Sequence, residues 1–124
     1  MRVRTIATAA VTAAFAAVFA TAPTASAEPS PPGCPRGNFC AYSGGGQSGA
    51  LLLKTAGNWS GRIDEVRSVF NNGVRYPGAD HVQARWQYNG SNWERCVHYN
   101  PGPGEYKIDF VGVTLTGATW RGEC

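Results

Sequence analysis

Cys34-Pro35-Arg36-Gly37-Asn38-Phe39-Cys40-Ala41-Tyr42-Ser43-Gly44-Gly45-Gly46-Gln47-Ser48-Gly49 is the stretch on which the reading of this chain turns. Two cysteines bracket a Pro/Gly turn, a short strand carrying Tyr42 follows, and a Gly-rich loop ends at Gly49. The pattern is the stapled first corner of a small β-domain. No catalytic motif has this form, so function is expected on a surface loop.

Upstream of that corner lies a leader. Arg2 and Arg4 form a basic start, residues 6–22 are uncharged and Ala/Val/Phe-rich, and Ala25-Ser26-Ala27 is a small-residue cleavage site. Residues 1–27 therefore read as a signal peptide, 28–33 (Glu-Pro-Ser-Pro-Pro-Gly) as an extended, mobile Pro-rich spacer, and 34–124 as one domain. The expected product is secreted, monomeric and free of any membrane anchor. Loss of Arg2 and Arg4 removes two of 11 basic residues against 8 acidic ones, leaving the chain close to neutral. Such a surface has no long-range field to gather phosphates, and nucleic acid is not an expected partner.

All four cysteines, Cys34, Cys40, Cys96 and Cys124, lie in the exported part. Four cysteines in a small secreted chain imply two disulfides with three possible pairings. The turn residues Pro35 and Gly37 favour Cys34–Cys40, which leaves Cys96–Cys124. Zinc ligation would need closely spaced pairs, and Cys96 and Cys124 stand alone. A domain this small has a limited core, so each bridge matters.

The rest of the chain is strand-like. Phe39 to Tyr42 and Ala50 to Leu53 flank the Gly-rich loop, and Val66 to Asn71 runs into Asn72-Gly73, a tight-turn signal. Val82, Ala84, Trp86 and Tyr88 alternate with polar residues, Asn89-Gly90 turns the chain, and Trp93 to Tyr99 returns. Tyr106, Ile108 and Phe110 alternate again before Val113 and Leu115. No stretch has helical apolar spacing. About seven short strands predict an all-β, disulfide-stapled Greek-key sandwich, its core supplied largely by Trp59, Trp86, Trp93 and Trp120.

Enzyme chemistry is poorly provided for. His81 and His98 are the only histidines, and neither a zinc-protease helix motif nor a nucleophile-elbow motif occurs. Gly44, Gly46 and Gly49 satisfy G-x-G-x-x-G, but no strand–helix context surrounds them, so they read as a hairpin loop. The protein is expected to be neither an enzyme nor dependent on a cofactor.

Tyr42 and Gly49 resemble the βγ-crystallin signature, aromatic-x4-aromatic-x-Gly, with Gln47 where the second aromatic stands. That resemblance implies a weak calcium site at Asp64 and Ser68. Ile63 and Arg67 depart from it, and calcium needs six to eight oxygens. The block Cys34 to Gly49 as a whole resembles the start of the Streptomyces metalloproteinase inhibitor family, secreted proteins with a βγ-crystallin-like fold. The resemblance implies a peptidase inhibitor whose partner is an extracellular zinc metalloprotease. It places the inhibitory loop at Cys96, Val97, His98 and Tyr99: the Cys96 carbonyl approaches the zinc, Val97 fills the apolar primed pocket, and His98 and Tyr99 extend along the cleft. The family closes this loop with a nearby second cysteine; here Asn100-Pro101-Gly102-Pro103-Gly104 stands instead. The alternative is a non-inhibitory βγ-crystallin-like module that binds cell-wall glycan through exposed aromatics or binds calcium.

Overall fold

The computed structural model describes residues 26–124; the expected signal peptide, apart from its last two residues, falls outside them. Six antiparallel strands form one sheet: β1 (Phe39–Gly44), β2 (Ser48–Thr55), β3 (Trp59–Asn71), β4 (His81–Tyr88), β5 (Ser91–Val97) and β6 (Lys107–Arg121). Their order is β2-β1-β3-β6-β4-β5, so the chain returns through β6 to fill the place between β3 and β4. The all-β class is as the alternation predicts.

β3 and β6 pair with each other along most of their length, and each takes a second partner on its other edge. The C-terminal end of β3 pairs with β1, while the C-terminal half of β6 pairs with β4. Between these halves the β3–β6 ladder is irregular, with register shifts from Ser60 to Ser68. Glu65 (φ 59°) and Gly112 (φ 120°) sit at that irregularity. Bulges there bend the strands, and the sheet folds over on itself. Phe39 and Ala41 of β1 thus share one core with Val82, Ala84 and Trp86 of β4 and Val97 of β5. A second, smaller cluster holds Cys34, Cys40, Tyr42 and Phe70, with the Tyr106 ring edge-on to Phe70.

Several expectations need correction. Ile108, Phe110, Val113 and Leu115 all lie on one long strand, and there are six strands where about seven short ones were expected. Only Trp86 is a buried tryptophan; Trp59 and Trp120 pack at the margin, and Trp93 is 54% exposed because β5 is an edge strand. The spacer is tied to the domain. Glu28 exchanges two hydrogen bonds with the Asn100 side chain, Ser30 Oγ accepts from Asn72, and the buried Tyr42 hydroxyl donates to Pro32 O at 2.7 Å.

Both disulfides form as the turn residues favour, Cys34–Cys40 and Cys96–Cys124. Gly49 adopts φ 75°, and a Cβ there would lie 2.5 Å from Ser43 Oγ. Glycine is required at this position on both counts. Asn89 and Gly90 both have positive φ, as a two-residue primed turn demands. Asn72-Gly73, by contrast, is no tight turn. Asn72 is fully buried, and the chain runs on through a loop until His81.

Candidate functional site

Three asparagines with no exposed surface organise one end of the molecule: Asn71, Asn72 and Asn100. Buried carboxamides are tolerated only when their donors and acceptors are matched. Here they are matched by backbone from several segments. Asn71 Nδ2 donates to Asp80 O at 3.0 Å and Val97 O at 3.1 Å, while its Oδ1 accepts from Gly73 N. Asn72 Nδ2 donates to Cys34 O, and its Oδ1 accepts from Arg36 and from Asn100 Nδ2. The stapled corner, the end of β3, the end of β5 and the segment after it are thereby fixed to one another.

The β3–β4 loop rises from this base. Asp80, 4% exposed, divides its carboxylate between two tasks. Oδ2 accepts from Tyr76 N at 2.9 Å, and Oδ1 lies 2.6 Å from His81 Nδ1. Burial alone would raise the Asp80 pKa; the hydrogen bonds from His81 and Tyr76 outweigh it and hold the group below the ordinary aspartate value. Ala79 N closes a turn onto Tyr76 O across Pro77-Gly78, with Gly78 at φ 93°. Proline then glycine is the sequence such a turn selects. Val74 and Tyr76 are left 54% and 69% exposed.

Beside the loop, the His81 ring meets His98 at 4.4 Å and Tyr99 at 5.8 Å between centroids. His98 Nδ1 contacts Tyr99 O, and His98 N donates to Glu105 O. His81, Cys96, His98, Gly104, Glu105 and Cys124 border a cleft of about 370 Å³. Asp80–His81 has the arrangement of an oriented imidazole. Among the described residues, however, no hydroxyl or thiol is hydrogen-bonded to either histidine ring, and no cysteine is free.

The four residues expected in the inhibitory loop do come together, but on a different kind of surface. Cys96 and Val97 end strand β5, with Cys96 opposite Gln83 and Val97 opposite Val82. Val97 has no exposed surface, and Cys96, His98 and Tyr99 are half-buried. The Cys96-Val97 bond is thus the last rung of a ladder rather than the crest of a loop, because its side chain completes the core. Val97 cannot enter a peptidase pocket while β5 stays paired.

Asp64 and Ser68 serve separate structural ends. The Asp64 carboxylate accepts from Thr114 and lies near Arg62. The buried Ser68 hydroxyl accepts from Gln47 N and donates to Gly44 O, pinning the Gly-rich loop. Among the described residues no three His, Cys, Asp or Glu side chains cluster as a metal would require.

The buried asparagines and the loop over 73–80 went unread in the sequence. Asn71-Asn72-Gly73 looks like ordinary turn punctuation, and only long-range contacts reveal that its side chains face inward.

No curated protein and no solved structure matches this chain. The sequence model of peptidase inhibitor family I36 matches residues 27–100, a span that runs from the Pro-rich strap of residues 28–33 through the disulfide corner and the β3–β4 loop to Asn100. That match covers more than half of the chain, and the protein belongs to peptidase inhibitor family I36.

Proposed function

We propose that this protein is a secreted, monomeric inhibitor of a zinc metallopeptidase and acts by occupying the substrate cleft. Family membership carries the reading. The resemblance of Cys34 to Gly49 to the metalloproteinase inhibitors directs it toward zinc enzymes. The clamped end of the molecule gives it a physical basis. A loop already fixed by buried hydrogen bonds loses little further freedom on binding, which favours tight association.

In this reading Cys96, Val97, His98 and Tyr99 form the support beneath the contact surface. Val97 anchors β5 in the core, the Cys96–Cys124 bridge ties the last residue to the strand, and His98 and Tyr99 brace His81. Asp64 and Ser68 maintain the fold.

The test is direct. Purified residues 28–124 are titrated against a thermolysin-type metallopeptidase, a trypsin-like serine peptidase and a papain-like cysteine peptidase. Near-stoichiometric block of the metallopeptidase is the expected outcome. Block of another class alone would move the target, and activity against none would remove the inhibitor reading.

A further inference from the structure

The β3–β4 loop has an organisation that core packing does not need. Two large apolar side chains, Val74 and Tyr76, stand in solvent on a segment whose two ends are pinned. The N-terminal foot is Gly73 N on Asn71 Oδ1 at 2.9 Å; the C-terminal foot is Asp80 O on Asn71 Nδ2 at 3.0 Å. A third tie, Tyr76 N to Asp80 Oδ2, holds the crest itself. One side chain, Asn71, grips both feet. Exposure on a slack loop is unremarkable, whereas exposure on a triply tied one is maintained by structure.

Residues 72–76 run without a turn or bend, and the chain turns only at Pro77-Gly78. Val74 and Tyr76 border one groove with Gly37, Gly57, Ala79 and Trp120, a hollow of about 430 Å³. The loop thus turns the two apolar side chains Val74 and Tyr76 to one groove, which the intervening Arg75 does not line. Clefts that bind extended peptides read that arrangement: main-chain contacts along the run, and pockets for every second side chain.

We propose that Val74-Arg75-Tyr76 is the segment that lies in the peptidase cleft, with Tyr76 as the anchor in an apolar specificity pocket and Val74 in the alternate one. The inference rests on the inhibitor reading above, and it moves the contact from Cys96-Val97 to the neighbouring loop. Asn71 joins the two regions, since its Nδ2 also holds Val97 O. The groove beside the loop then receives the rim of the enzyme, burying the exposed edge of Trp120.

The experiment compares wild-type protein with Tyr76→Asp, Tyr76→Ala, Val74→Asp and Val111→Asp. Val111 is 72% exposed on β6, away from this loop, and is the control. Inhibition constants are measured against whichever peptidase the wild type blocks, with thermal melting as the folding check. Tyr76→Asp is expected to weaken inhibition at least tenfold and Tyr76→Ala by a smaller factor. Val111→Asp should match wild type, and all four variants should melt with wild type. If wild type inhibits while Tyr76→Asp and Val74→Asp inhibit equally well, the loop is not the contact and the inhibitor reading stands. If wild type inhibits no peptidase, both fall together.

Discussion

Asp80 brings together a loop amide, a histidine and a buried site, and its charge is what the three have in common. Its pKa is held below the usual value by hydrogen bonds that exceed the effect of burial. A carboxylate depressed in the folded state stabilises fully above its unfolded pKa and loses that contribution as pH falls through the folded value. Urea midpoints measured from pH 6 to pH 2 should therefore drop below about pH 4, and Asp80→Asn should flatten part of that fall. Glycines make a second contrast at this scale. Gly90 has φ 74° with no atom within 4 Å of an added Cβ, so Gly90→Ala should cost about 1 kcal/mol from backbone strain alone. Gly49→Ala meets the same strain and adds the contact with Ser43, so its cost should be about 2–4 kcal/mol. Chemical denaturation distinguishes them.

Among the elements, the N-terminal strap differs most from its composition. Proline-rich and polar, it suggests a mobile tether, yet it supplies hydrogen-bond acceptors to Tyr42 and Asn72. Glu28 adds more: its carboxyl is held below its ordinary value first by the Tyr106 hydroxyl, with Lys107 at 3.0 Å reinforcing it. Leaving a buried donor unmatched costs about 1–3 kcal/mol. Removal of residues 28–32 should lower stability by about 2–4 kcal/mol, read by urea denaturation. Neutralising Glu28 alone (Glu28→Gln) should cost less, because its backbone bonds to Asn100 remain. The β4–β5 hairpin was legible, since alternation and Asn89-Gly90 each encode local geometry, although β5 ends at Val97, two residues before the expected Tyr99. The first half of β3 was not, because Gly61, Arg62 and Asp64 break the alternation where the ladder bulges. Likewise the asparagine-clamped end was hidden: nothing local in Asn71, Asn72 or Asn100 says that a carboxamide will be buried and shared between loops.

For the molecule as a whole, two staples secure different things. Cys96–Cys124 closes the longer loop, with a sequence separation of 28, and chain entropy alone gives it about 3–4 kcal/mol. Cys34–Cys40 spans only 6 residues, worth about 2 kcal/mol on the same basis, but both its cysteines are buried. Replacing Cys96 and Cys124 together by Ser should thus reduce stability by about 3–4 kcal/mol. Replacing Cys34 and Cys40 by Ser should exceed its entropic figure, since it places two hydroxyls in a buried, largely apolar cluster. Equilibrium unfolding of both double variants compares the two directly. The long strands have a broader consequence. β3 and β6 each run through both halves of the folded sheet, so no boundary exists along which one half can melt and leave the other intact. Amide exchange should reflect this: the slowest protons in Val66, Val69, Ile108 and Leu115 share a single opening energy, equal to that of global unfolding. A protein built this way is either whole or lost, with no half-open form for a peptidase to digest.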